Sequence, residues 1–330
     1  MKIEMLNLRW LLRSAGVGLV AGLVAVSMAG TLTVKSPSDG QFLGLKNNIK
    51  FQITGGVKVV LVKATVTGPS GTIVVSDNFT PDGKGEVDDQ LDLNFNENTA
   101  EGDYSIKVEA IEPNNTYAPT TVNVKVDTVK PKVLSFVPSD NSYVKGLVKI
   151  RAKLKETNLK TWEVKVDNNP IPNNTGSNLD VSTDWDPTTL LDDGKHTISL
   201  EAKDQADNTQ NRSVTVTLDR AAPVTTIAYP RSDTNVQRGT TVSVVVDVRD
   251  ASSGSVDQTG VDVIARKLDG TYICRVSRVS VKASGSDAIR WTGRIRYIAG
   301  QLPSQFKLEA TSVDKAGNVA TKQVVLVTVR

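Results

Sequence analysis

The sequence is poor in the side chains on which most enzyme chemistry rests. It carries one histidine, His196, and one cysteine, Cys274, in 330 residues. A lone cysteine forms no internal disulfide, so the fold is held by packing alone. Cys274 lies in the strand-like run Tyr272-Ile273-Cys274-Arg275-Val276, where a small buried thiol is the expected state. A lone histidine excludes a histidine-rich metal motif, and Cys274 lies far from it in sequence. There is no Gly-x-Ser-x-Gly elbow and no phosphate-cradling glycine loop. Helical periodicity is missing throughout, and after residue 29 no apolar run is long enough to span a bilayer. The expectation is a protein that is not an enzyme and whose mature chain has no membrane span.

The first 29 residues differ from everything that follows. Lys2, Arg9 and Arg13 precede an uncharged apolar run from Ala15 to Val26, and Ser27-Met28-Ala29 sets small residues before Gly30. This order predicts a secretory signal peptide over residues 1–29. The chain is then secreted, extracellular or at the cell surface, with the periplasm also open.

The remainder repeats three times. Pro37-Ser38-Asp39-Gly40, Pro138-Ser139-Asp140-Asn141 and Pro230-Arg231-Ser232-Asp233 are turn signals, each followed by an alternating strand. Later in each unit Tyr104, His196 and Phe306 open a second alternating run, and an acid stands eight residues on, at Glu112, Asp204 and Asp314. A turn and a closing strand follow, and two units end in an Asp-x-x-x-Pro junction, Asp127 to Pro131 and Asp219 to Pro223. The period-2 patterning, the short strands and the Asp-Gly turns predict an all-β chain of sandwiches over residues 30–127, 128–220 and 221–330.

The run from Gly194 to Asn208, the Asp314-Lys315-Ala316-Gly317-Asn318 turn and the Asp-x-x-x-Pro junctions resemble the bacterial immunoglobulin-like domains found in tandem in surface proteins and adhesins. The resemblance implies three tandem immunoglobulin-like β-sandwich domains in a secreted or surface setting, and it fixes no ligand. It also allows calcium between domains. Asp127, Asp204, Asp207, Asn208, Asp219, Asp314 and Asn318 supply the hard oxygen ligands that ion takes. The same residues suit a tight hairpin, where Asp and Asn bond the backbone and Gly supplies positive φ. Apart from calcium no cofactor is expected.

Charge is distributed unevenly. Residues 30–127 hold eight bases and thirteen acids, whereas residues 221–330 hold fifteen bases and nine acids, ten of the bases being arginine. In the strand-like segment around Trp291, parity sets Arg290, Arg294 and Arg296 on one face and Trp291, Ile295 and Tyr297 on the other. The bland reading is an amphipathic strand; the functional one is a ligand-binding strip for a surface polysaccharide or envelope component. His196, by the same parity, reads as a packed or rim side chain, and Trp162 as a buried sandwich tryptophan. The function that follows is a structural or adhesive rod that presents or spaces something at the surface. Alternatives are an envelope-binding module and a filament subunit that associates head to tail with copies of itself or with another protein. Export and the lack of aromatics among the basic residues argue against nucleic acid.

Overall fold

The computed structural model describes residues 30–189, 192–250, 256–285, 287–296 and 302–330. The signal-peptide reading for residues 1–29, and Tyr297, lie outside the described residues. Contacts divide the chain into two compact units, one ending at Val126 and the other comprising Phe42–Leu45 with Asp127–Arg330.

The first repeat runs β1 (Thr31–Ser36), β2 (Phe42–Leu43), β3 (Lys46–Thr54), β4 (Val60–Gly68), β5 (Gly71–Phe79), β6 (Val87–Asn94), β7 (Gly102–Ile111) and β8 (Thr120–Val126). Its sheets are β1-β3-β6 and β2-β8-β7-β4-β5. The second runs β9 (Lys132–Val137), β10 (Ser142–Val144), β11 (Val148–Lys155), β12 (Leu159–Val166), β13 (Asn169–Gly176), β14 (Asp180–Trp185), β15 (Gly194–Asp204) and β16 (Thr209–Leu218). Here β14-β11-β9 faces β10-β16-β15-β12-β13. The third runs β17 (Val224–Tyr229), β18 (Thr234–Val236), β19 (Val242–Arg249), β20 (Asp262–Arg266), β21 (Tyr272–Arg275), β22 (Ser277–Ala283), β23 (Ala288–Ile295), β24 (Gln305–Thr311) and β25 (Gln323–Val329). Its sheets are β17-β19-β23-β22 and β18-β25-β24-β20-β21. The architecture is all-β, three immunoglobulin-like sandwiches in series. Among the described residues no helix is long and apolar enough to cross a membrane.

The three opening turns do more than precede a strand. The peptide before Pro37, Pro138 and Pro230 is cis, and three residues on the backbone takes positive φ at Gly40 (78°), Asn141 (60°) and Asp233 (63°). That residue's N–H donates to the closing strand, to the carbonyls of Asn123, Thr215 and Leu326 at 2.7, 2.7 and 3.0 Å. Asp39 and Asp140 add a carboxylate bond to the N–H groups of Asn123 and Thr215, both at 2.8 Å. The chain therefore leaves one sheet and joins the other through a short strand that the sequence reading passed over. β10 lies parallel to β16, and β18 parallel to β25.

Alternation along each strand buries one side-chain set between the sheets. β11 and β19 show it most plainly, with Val148, Ile150, Ala152 and Leu154 inside the second core and Val242, Val244, Val246 and Val248 inside the third. Each sandwich also lays a large ring over a glycine. A Cβ on Gly68 would strike the Tyr104 ring, one on Gly176 the Trp162 ring, and one on Gly293 the Trp291 ring. Tyr104 stands near the start of β7 and its hydroxyl donates back to the Ala100 carbonyl at 2.8 Å, a tyrosine corner. Trp162 is buried as its parity requires, and its indole N–H donates to the Asn178 carbonyl at 3.0 Å.

Gly176→Ala is expected to displace the Trp162 ring and destabilise the second sandwich by about 1–3 kcal/mol, as overpacking does. Thermal unfolding followed by tryptophan fluorescence measures it, and an unchanged melting temperature would show that the ring is free to move aside.

Candidate metal centre at the domain junctions

Both junction acids sit where a closing strand leaves its sheet. Asp127 follows β8 and Asp219 follows β16, and both side chains are buried, at 3% and 0% exposure. The Asp219 N–H donates to the Val144 carbonyl at 3.0 Å, so the chain is still held by the short parallel strand as it passes to the next domain.

Each junction is met by the turn between the last two strands of the domain that follows. In the second domain this turn is Asp204 to Asn208, and in the third it is Asp314 to Asn318. The fourth position takes positive φ, 66° at Asp207 and 85° at Gly317, which is why it is Asp in one turn and Gly in the other. The backbone reversal brings the final Asn back onto the initial Asp. Asn208 donates its N–H to Asp204 Oδ1 at 2.9 Å and its amide nitrogen to Asp204 Oδ2 at 2.8 Å. The same amide nitrogen donates to the Asp127 carbonyl at 2.8 Å. Asn318 repeats the set, to Asp314 Oδ1 at 2.8 Å, Asp314 Oδ2 at 2.9 Å and the Asp219 carbonyl at 2.9 Å.

Beyond this shared brace the junctions differ. At the first, Asn158 donates an amide hydrogen to Asp127 Oδ2 at 2.9 Å. The carboxylate of Glu156, which follows β11, instead accepts from the N–H groups of Thr157 and Asn158 at 2.7 and 3.0 Å. Two carboxylates, Asp127 and Asp204, are thus matched by two amides. Burial raises the Asp204 pKa, with the Asp127 charge adding to it and the Asn208 bonds opposing it.

At the second junction a third acid joins. Asp250 follows β19 as Glu156 follows β11, and it is buried, as are Asp219 and Asp314. One carboxylate oxygen from each of the three lies within 4.8 Å of the other two. Burial pushes Asp219 up to about 6, and the charges of Asp250, Asp314 and Asp193 add to the shift. Asp193 is itself paired with Arg220 at 2.6 Å. Two oxygens bound to one calcium ion at about 2.3–2.6 Å stand no more than about 5 Å apart, so the three fit around a single ion. The donor set is all oxygen and formally trianionic, which suits a hard divalent cation and not a soft one. Calcium bound here would be held by Asp219, Asp250 and Asp314, and its charge would offset the repulsion among them.

Several expected ligands are placed otherwise. Asp207 is turned out by its left-handed backbone and pairs with Lys160 at 2.8 Å and Lys203 at 3.4 Å, away from Asp204. Asn208 and Asn318 present their amide nitrogens to the junctions, as hydrogen-bond braces. Asp127 and Asp204 face amides in place of a third carboxylate. Asp250 was missed because it belongs to neither the turn nor the junction motif; the signal available was an acid directly after the first long strand of both later repeats. In the first repeat the acid matching Asp204 and Asp314 is Glu112, whose surroundings are closed. Burial opposes its ionisation, yet bonds from Tyr117, Asn115 and the N–H groups of Val57 and Lys58 hold its pKa below the usual carboxylate value.

The other singled-out residues lie elsewhere. His196 donates or accepts at Nδ1 with Asp167 Oδ2 at 2.7 Å and sets its ring edge-on to Trp185 at 5.3 Å. Arg290, Arg294 and Arg296 are all exposed on the third domain. Cys274 is half-buried, and burial raises its thiol pKa.

Asp219 carries a pH prediction. Its folded pKa of about 6 lies above the ordinary 3.8, so it adds stability that is complete below the ordinary value and is lost as pH rises through about 6. With chelator present, the melting temperature of the second unit is expected to rise as pH falls from about 7 to about 5. Asp219→Asn is expected to flatten that dependence in calorimetry, and a parallel profile for the variant would place the titration elsewhere.

No curated protein matches the chain in sequence. Residues 181–326 match the family described as bacterial Ig-like domain (group 3), a stretch from β14 to β25 that includes the whole second junction. Among solved structures the chain is similar to the fibronectin(III)-like modules of Clostridium thermocellum CbhA, at 12% identity over 61% of this chain and 94% of that one, with a TM-score of 0.41. It is similar to a three-Ig segment of titin in an E-to-A mutated variant, at 12% identity over 92% and 99%, with a TM-score of 0.36. A tetra-tandem repeat from the extending region of a large adhesion protein is similar at 17% identity over 91% and 74%, with a TM-score of 0.31. Likenesses at these scores carry no argument about function. The chain is a tandem-repeat protein of immunoglobulin-like domains, and residues 181–326 of it match the bacterial Ig-like family.

Proposed function

We propose that the chain is a non-catalytic structural or adhesive protein, secreted or held at the cell surface, whose second and third domains are fixed to one another by a divalent cation. The observation that carries this reading is the buried set of Asp219, Asp250 and Asp314, drawn from a linker, a strand end and a turn that meet only if the two domains stay docked. All three carboxylates are buried, away from where a substrate would reach them, and the imidazole of His196 lies elsewhere, against Asp167 and Trp185. The N-terminal pattern of Lys2, Arg9 and Arg13 before an apolar run supports export, which is also where calcium is plentiful.

Two further contacts support docking at the same junction. Lys145, in the loop after β10, donates to the Gly317 carbonyl, and Lys315 stands 5.3 Å from the centre of the Tyr143 ring. Each joins the second domain to the turn that closes the third.

Calcium at about a hundredfold above its dissociation constant is expected to stabilise the second unit by about 2.7 kcal/mol and to raise its melting temperature by about 5–10 °C. Asp250→Asn is expected to abolish most of that shift and to expose the linker after Asp219 to limited proteolysis. Equal calcium shifts in Asp250→Asn and the parent chain would defeat the proposal, as would no shift in either.

A further inference from the structure

The outer face of the β17-β19-β23-β22 sheet gathers cations that the junction does not use. Arg249 from β19, Lys282 from β22 and Arg290 and Arg294 from β23 share this face by strand register, and Arg296 continues the row. The face holds one acid, Asp247, opposite Arg290. Its remaining strand positions mix the hydroxyls of Thr226, Ser243, Ser280 and Thr292 with Val224, Tyr229, Val245 and Ala288. The trait predicted from sequence, an arginine strip with Trp291 and Ile295 behind it in the core, is therefore one column of a wider basic surface.

Asp247 shows how this surface grips a carboxylate. Arg290 donates from Nε to Oδ1 at 2.7 Å and from Nη2 to Oδ2 at 2.8 Å, a two-pronged bond. That bond comes first in holding Asp247 below its ordinary pKa, and the charge of Arg249 contributes as well. Arg249, Arg294, Arg296 and Lys282 make no ion pair among the described residues.

We propose that this face binds a linear polysaccharide bearing carboxylates, a polyuronate. Spacing decides for a polymer over a small anion. At about 3.4 Å per residue, Arg290 and Arg294 are about 14 Å apart along the strand and Arg296 lies about 7 Å further on, so a ligand with several carboxylates engages more of the row than a single carboxylate does. One exposed ion pair contributes little, and only a ligand that engages several in register gains from all. Hydroxyls between the guanidinium groups suit sugar hydroxyls, while a single aromatic, Tyr229 opposite Val245 on the edge strand β17, offers no run of platforms on which successive nucleic-acid bases could stack.

The test uses the full chain, with chelator present so that calcium neither bridges the polymer nor acts at the junction; its failure is then separate from failure of the cation reading. Polygalacturonate is titrated at low ionic strength against the parent chain, against a variant with Arg249→Gln, Arg294→Gln and Arg296→Gln, and against a control with Lys149→Gln, Lys153→Gln and Lys155→Gln on β11. All six side chains are exposed, and the two variants lose equal charge. The arginine variant is expected to bind at least about tenfold more weakly at an unchanged melting temperature, and the control to stay within about twofold of the parent. Neutral dextran is expected not to bind. The proposal is overturned if the parent does not bind polygalacturonate, if the control loses as much as the arginine variant, or if duplex DNA or phosphatidylglycerol vesicles bind as tightly as the polyuronate.

Discussion

Two buried amides brace the chain where it enters the second and third domains. Asn208 and Asn318 each divide one NH2 group between the carboxylate of their own turn and the carbonyl of the preceding junction acid. The carboxylate bond closes the turn, and the carbonyl bond attaches that turn to the chain leaving the previous domain. A buried carbonyl without a partner costs free energy comparable to a lost hydrogen bond, so the brace fixes where each linker may run. Everything else at the junctions is built on a linker already held in place.

With the linker fixed, the position after the first long strand becomes decisive. At the first junction that position is Glu156, which folds back on its own loop and leaves Asn158 to reach Asp127. At the second it is Asp250, whose side chain is one methylene shorter and is buried beside Asp219 and Asp314. The two junctions thus share a scaffold but solve the same electrostatic problem differently, one with neutral amides and one with carboxylates that call for a proton or a cation. Proton and cation compete for the same oxygens, which is why the elevated pKa of Asp219 and the case for calcium are two expressions of one burial.

Much of the fold was legible because its signals are local. Period-2 alternation fixed which residues of β11 and β19 face inward, and the spacing from Tyr104, His196 and Phe306 to the following acids marked the same strand in all three repeats. The short strands β2, β10 and β18 escaped notice because two or three residues give no period; they are set by the positive φ of Gly40, Asn141 and Asp233 and by bonds to a strand about 74 to 93 residues away. The candidate site was half legible. Asp219 and Asp314 stand in recurrent motifs, whereas Asp250 enters only through tertiary placement, and Asp207 left the set because a left-handed turn residue points its side chain outward.

The lateral edges of the first sandwich bear on how such a chain meets others. β5 and β6 are both edge strands, and an unpaired edge invites another strand to add. In register, Asp77 on β5 lies opposite buried Val62 and Asp89 on β6 opposite buried Phe51, so both acids occupy core-side positions while remaining exposed. A strand added at either edge would extend the core over a carboxylate and bury its charge, at a cost of several kcal/mol. Growth by strand exchange is opposed at this edge by charge placed inward. Sheet faces carry no such obstacle, and the one formed by Arg249, Lys282, Arg290 and Arg294 sets four bases against a single acid, Asp247. A ligand bound on that face would leave the backbone ladders and the junction carboxylates untouched, so the proposed recognition and the proposed docking draw on separate residues.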